Sequence, residues 1–473
     1  MTPRRLPTIT VLVALLVGAI LTDNEATDVE EAGFGRDTTF VMPVASPAGA
    51  LTSTWFCPAA TATGEGMAEG FLVMANAGTE PRSGTLTVFP TGGEPVRRPV
   101  EVPPLARSVV RLSDVAQADY AAALIEFAGG EVAVEVVAQT ERGSESSACA
   151  TDASDEWYLA HGVTTRDARE VITLFNPFPE DAIVDMTFAT NEGPFAPRPL
   201  QALVVPAGRL IAVDLSEQVR RRTDVAMTLH AVAGRVVAGR IQTFDGSAGN
   251  IGLVHGLAAP ALSERWTFAM GLKAEGLRER FHVYNPGDRE AEVDVTLSLQ
   301  DDFAEPFELT IPPESYATVD VSAEERVPAG FHSATVQSLN GVPVVAERSL
   351  SSPEGNRRGY TSALGAPLEA RRWVLPAGDA VPDVDENVVV HNPTAEDVVV
   401  SIRVLAKGRE LAVAQMTDVP VGPGALVGLK PLDFLERKDL PLLIEASGPV
   451  VVERILVNIT TLGFSVNPGI PLR

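Results

Sequence analysis

The side chains best suited to hold a metal, move a proton or form a redox pair are few in this chain. There are six histidines and two cysteines. His161, His230, His255, His282, His332 and His391 neither pair at metal-ligand spacing nor recur at matching places along the chain. No His-Glu-x-x-His, Gly-x-Ser-x-Gly or phosphate-binding glycine loop occurs. The acidic runs at 301–302 and 383–386 lack the alternating Asp pattern and glycine of a calcium loop. The expectation is a protein with no catalytic, metal-binding or cofactor-binding residues. A site assembled from scattered loops is the remaining enzymatic reading.

Cys57 and Cys149 stand 92 positions apart and bracket one segment of the chain. A disulfide between them would close a long loop and stabilise by about 4–5 kcal/mol in the chain-entropy view; two free thiols are the alternative. Arg240, Arg348 and Arg454 end valine-rich runs, the last two directly after Glu347 and Glu453. Neighbours on a strand face opposite sides, so one of each Glu-Arg pair points toward a core or a junction, where a lone charge is costly. The expected role is an ion pair or carbonyl clamp within a domain, with Asp214 and Asp320 as partners. A repeated ligand-binding arginine is the alternative.

These arginines belong to a larger period. Trp55, Trp157, Trp266 and Trp373 stand 102, 109 and 107 positions apart. Each is followed by an apolar run ending in asparagine, at Asn76, Asn176, Asn285 and Asn392, with proline next in the last three. The arginines fall 83, 82 and 81 residues after their tryptophans, and Val136 takes that place in the first copy. A period this long means tandem domains rather than solenoid repeats. Alternation over 292–299, with Val293, Val295, Leu297 and Leu299 on one face, indicates sheets with one buried side. Turn signals recur throughout, and Asn340-Gly341 predicts a hairpin between 332–338 and 343–350.

Seven short strands per copy predict an all-β chain of four tandem immunoglobulin-like β-sandwich domains after an N-terminal export signal or anchor. The boundaries read 1–22 signal or anchor, 23–54 acidic then Pro/Ala/Thr-rich tether, then repeats at 55–150, 151–260, 261–368 and 369–473. Linkers of a few residues predict a semi-rigid row of roughly 120–160 Å if the units lie end to end. The asparagines are expected to form turns. The tryptophans are read as plugs at domain junctions, or else as platforms for sugar rings.

Arg4 and Arg5 precede an apolar stretch at 9–21 that is short for a membrane span. A cleaved signal, or an uncleaved anchor, would place the rest outside the cytoplasm, on the cell envelope or secreted. A net charge of −25 argues against nucleic acid as a partner. Asn458-Ile459-Thr460 is a formal glycosylation triplet.

Trp-Phe-Cys-Pro at 55–58, Phe-Leu-Val-Met-Ala-Asn at 71–76, Phe-Asn-Pro at 175–177 and Val-Val-Ala-Glu-Arg at 344–348 resemble a family of exported actinobacterial proteins of unknown function. That family carries tandem Trp, Asn-Pro and Val-Val-Ala-Glu-Arg repeats. The resemblance implies export, an all-β fold and association with the cell envelope; it supplies no catalytic residue or substrate. The first copy departs from it at Ala77 and Val136. Two functions follow as expectations: a scaffold or interaction protein with an envelope protein as partner, or a binder of cell-wall polysaccharide through exposed aromatics.

Overall fold

Alternation becomes layers in the third repeat. The strand Ala291–Leu299 buries Ala291, Val293, Val295 and Leu297 and leaves Glu292 exposed, with Asp294, Thr296 and Ser298 half-buried. A computed structural model describes residues 41–473 except 64–65, 300–303, 354–357 and 459–462. The signal or anchor at 1–22, most of the tether, Asp301-Asp302 and the end of the glycosylation triplet lie outside the described residues.

The fold is all-β. In the first repeat β1 (Thr52–Ala60), β2 (Glu69–Asn76), β3 (Arg82–Pro90) and β4 (Val96–Val102) are followed by β5 (Ala106–Arg111), β6 (Tyr120–Ala128), β7 (Val132–Thr140) and β8 (Gly143–Ala148). They form two antiparallel sheets, ordered β1-β6-β3-β4 and β5-β2-β7-β8. The third repeat reproduces both orders, and the second does so apart from short edge strands. In the fourth, Leu442–Asn458 is one strand of 17 residues shared by both sheets. Short 3-10 turns interrupt the strands at Leu112–Asp114 and Leu215–Glu217.

Two expectations change. The hairpin across Asn340-Gly341 does not form: Gly330–Ser338 lies in one sheet and Val345–Ser352 in the other. A turn signal fixes a local reversal but not the sheet the returning strand joins. All eight residues of Val345–Ser352 are buried, and such a strand needs neighbours on both edges and cover on both faces. Its neighbours are Arg278–Asn285 and an eighth strand, Gly359–Leu364, that a seven-strand count misses.

The second change is larger: the repeats are not strung in a row. The eighth strands β8, Ile251–Leu257, Gly359–Leu364 and Phe464–Pro468 pack in a cycle, each against the next and the last against β8. A glycine at or near the start of each permits the approach. A Cβ on Gly252 would lie 2.7 Å from the Tyr360 backbone nitrogen, and one on Gly359 would lie 2.9 Å from that of Phe464. The core around Trp55 takes in Val374, Leu443 and Ile470 of the fourth repeat. The opening segment closes the cycle: Ala45 pairs with Leu472, and Met42 and Val44 join the core of the fourth repeat. Folded chain therefore begins well before residue 55.

Candidate functional site

Each recurring asparagine is fully buried and ties three stretches of backbone together. Asn285 Nδ2 donates to the Arg289 and Ile311 carbonyls at 2.7 and 3.0 Å, while its Oδ1 accepts from the Gly287 amide. Asn76, Asn176 and Asn392 repeat this pattern. They form turns, as read from sequence, and also pin the following strand across the sandwich. The four tryptophans are buried. Trp157, Trp266 and Trp373 donate Nε1–H to the carbonyls of Val236, Val344 and Val450 within their own repeats. They offer no face for a sugar to stack on.

The arginines leave their own domains. Arg240 pairs with Glu347 of the third repeat, Arg348 with Glu453 of the fourth at 3.0 Å, and Arg454 with Glu135 of the first at 2.9 Å. All six side chains are buried. Asp214 and Asp320, the partners expected from sequence, instead cap 3-10 turns and pair with Arg169 and Arg280. Each glutamate also accepts a backbone amide from the preceding repeat: Ala160 for Glu347, Met270 for Glu453, Ala377 for Glu135. Arg240 and Arg454 return hydrogen bonds to the carbonyls of His161 and Ala377. The carbonyl clamp stays within the repeat, as expected, and it is the ion pair that spans a junction.

A second glutamate accompanies each arginine inside its repeat. Glu170, Glu279 and Glu386 stand two residues before the strand position paired with Arg240, Arg348 and Arg454. At the junction of repeats 1 and 2 the whole set is missing together. Val136 replaces the arginine, Gly70 its companion glutamate and Gly239 the glutamate across the junction. Paired loss is what desolvation favours, because half of a buried ion pair costs more than none. That junction packs Phe89 against Phe175 at 4.9 Å, His255 bonds Ser147 and the Pro58 carbonyl, and its ion pair, Arg209 with Glu94, lies at the surface.

The polar groups converge on Glu145 of β8. It accepts from Thr361 of the third repeat at 2.7 Å, and from Ser465 and Asn467 of the fourth. Burial pushes the carboxyls of Glu145, Glu170 and Glu386 up to about 8, against the pull of nearby hydroxyls and guanidiniums. Folded chain thus holds protons that unfolded chain releases above 4.5. Their stabilisation is complete below that pH and is lost as pH rises through about 8. Burial pushes His255 and His391 down to about 4, so theirs is present above 6.5 and lost as pH falls. The expected result is an unfolding free energy, and with it a melting temperature, that falls between pH 6.5 and about 8, by up to about 1 kcal/mol per pH unit for each such carboxyl. Glu386→Gln should flatten the slope; a steady rise in thermal melts over that range would contradict the assignment.

One cluster escaped the spacing argument. His161 and Asp224 of the second repeat meet His282 of the third. The imidazole rings stack at 3.7 Å, and Asp224 Oδ1 lies 3.4 Å from Nδ1 of His161 and 3.6 Å from Nδ1 of His282. The two histidines are 121 positions apart in sequence, and only the cross-junction packing unites them. Separately, an apolar cleft of about 1130 Å³ opens between repeats 3 and 4, lined by Leu272, Phe331, Leu426, Phe434 and Phe464. Among the described residues no helix is long and apolar enough to cross a membrane.

Residues 121–359 match the model described as "Family of unknown function (DUF5719)". No curated protein matches the chain. Among solved structures, Thermotoga maritima 1070 is 21% identical over 22% of this chain and 93% of its own, with a TM-score of 0.21. The Anabaena sensory rhodopsin transducer is 22% identical over 19% and 96%, at 0.17. A tetra-tandem repeat from the extending region of a large adhesion protein is 11% identical over 90% and 99%, at 0.10.

Proposed function

The chain belongs to this family of unknown function, and on that premise we propose that it is a non-enzymatic, exported scaffold or interaction protein of the cell envelope. Its four repeats are immunoglobulin-like β-sandwich modules closed on one another rather than strung out. The observation that carries this reading is the Arg-Glu relay. The recurring charged side chains, Arg240, Arg348, Arg454 and their glutamates, are consumed in holding neighbouring modules together and are closed to substrate. A rigid multi-module body with an acidic surface suits presenting partners at fixed spacing. Among the described residues, the polysaccharide reading loses its tryptophans to the interior and keeps exposed phenylalanines such as Phe195 and Phe331.

Protease treatment of intact cells should digest the chain while cytoplasmic proteins survive. Photo-crosslinkers placed at exposed positions should then capture an envelope protein reproducibly from the same sites. Turnover in a broad hydrolase screen, lost on substitution of a single side chain, would overturn the proposal. Retention on purified cell-wall glycan, lost with Phe195→Ala or Phe331→Ala, would favour the polysaccharide reading instead.

A further inference from the structure

We propose that His161, Asp224 and His282 form a divalent transition-metal site, with Zn²⁺ as the fitting ion, that fastens repeat 2 to repeat 3. Two imidazoles and a carboxylate are a donor set that suits zinc. With metal-ligand bonds of about 2.0–2.1 Å, the edge of a tetrahedron is roughly 3.3–3.4 Å. Asp224 Oδ1 stands 3.4 and 3.6 Å from the two Nδ1 atoms, so two edges are already nearly in place.

The hydrogen bonds around the cluster point the same way. His161 Nε2 is 2.7 Å from the Tyr360 hydroxyl, and His282 Nε2 is 2.8 Å from Ser349 Oγ. Donation of both Nε2–H groups to these oxygens leaves both Nδ1 lone pairs facing the carboxylate, as in metal sites whose ligand tautomers are fixed from behind. Two acceptors and an anion then face one another in the interior. Among the described residues neither His161 Nδ1 nor Asp224 Oδ1 has a hydrogen-bond partner, although His161 is 3% exposed. Buried polar atoms left in that state call for a missing partner. A cation satisfies both at once; a hydroxyl satisfies one. The Thr318 hydroxyl approaches His282 Nδ1 at 3.3 Å and would turn aside. The carboxylate side of the cluster is open, since the Asp224 side chain is 22% exposed, and gives the ion an approach and a place for water as fourth ligand.

The site also adjoins the relay. The His161 carbonyl accepts from Arg240, and the Ala160 amide donates to Glu347. An ion there would reinforce the same junction. The other junctions lack this triad among the described residues, so one ion per chain is expected.

The test is calorimetric titration of ZnCl₂ into the chelator-treated full chain, with CoCl₂ absorption as a second readout. The expected result is one Zn²⁺ per chain, visible Co²⁺ bands of tetrahedral intensity, and a higher melting temperature with Zn²⁺. Asp224→Asn and His282→Gln should each weaken binding at least tenfold while keeping the native circular dichroism. Asp224→Asn is near-isosteric and half-buried, so it keeps the measurement open if the histidine variant unfolds. His230→Gln, at an exposed histidine, should bind as the native chain does. No stoichiometric binding by the native chain would overturn the proposal, as would binding undiminished in folded Asp224→Asn.

Discussion

Replacing Arg454 with methionine should destabilise the protein by about 3–5 kcal/mol in denaturant unfolding, a large share of the stability of any domain. The chain length of the new side chain is similar, so packing changes little. What changes is Glu135, 1% exposed and left with the Ala377 amide as its remaining partner at that oxygen. Ser146 loses its donor as well. The pair joins the last repeat to the first, so its loss should also loosen the closure of the cycle. Replacing both members with apolar residues, Glu135→Leu with Arg454→Met, should recover most of the loss. The junction of repeats 1 and 2 already carries that solution in Val136 and Gly239. A loss below about 1 kcal/mol for Arg454→Met would mean that the carboxylate finds water.

Removing the disulfide with Cys57→Ala and Cys149→Ala should cost about 4–5 kcal/mol, the chain-entropy value for a closed loop of this length. The bond joins β1 to the residue after β8, both sulfurs inside the core of the first repeat. That repeat has the least of the other devices: no buried arginine at position 136, and Trp55 Nε1 without the carbonyl that its three counterparts reach. The bond is the local substitute. Equilibrium unfolding without reductant compares the double variant with the native chain; a difference under about 1 kcal/mol would leave the first repeat held by its junctions alone.

How much of this was legible beforehand depended on where the partner of each residue sits. Trp266, Asn285 and the alternation of 292–299 act within one repeat, so their spacing revealed the all-β period, and the bracketing cysteines revealed the disulfide. The valine run implies that one of Glu347 and Arg348 is a buried charge; the structure buries both. Glu453, the partner of Arg348, lies 105 positions away, and nothing in a strand pattern names a residue in another domain. The closed arrangement stayed hidden for the same reason. Short linkers allow a row or a ring, and the strands that decide carry no clean alternation; Gly359–Leu364 mixes Tyr, Thr and Ser with a glycine. Period-two reasoning passes over such strands because both of their faces are buried against other strands. Spacing in sequence tests ligands within one element only, and His161 and His282 belong to different repeats. One cue was available: the simultaneous absence of Arg at 136 and Glu at 239 marks two positions that answer to each other across a junction.

The most direct test of the cyclic closure is a double-mutant cycle on Glu135→Gln and Arg454→Met, with unfolding free energies measured for the four proteins. Side chains that touch across the junction of the fourth and first repeats should show a coupling of about 1–3 kcal/mol. Additivity within about 0.5 kcal/mol would mean that these residues do not meet, and the repeats would then stand in a row.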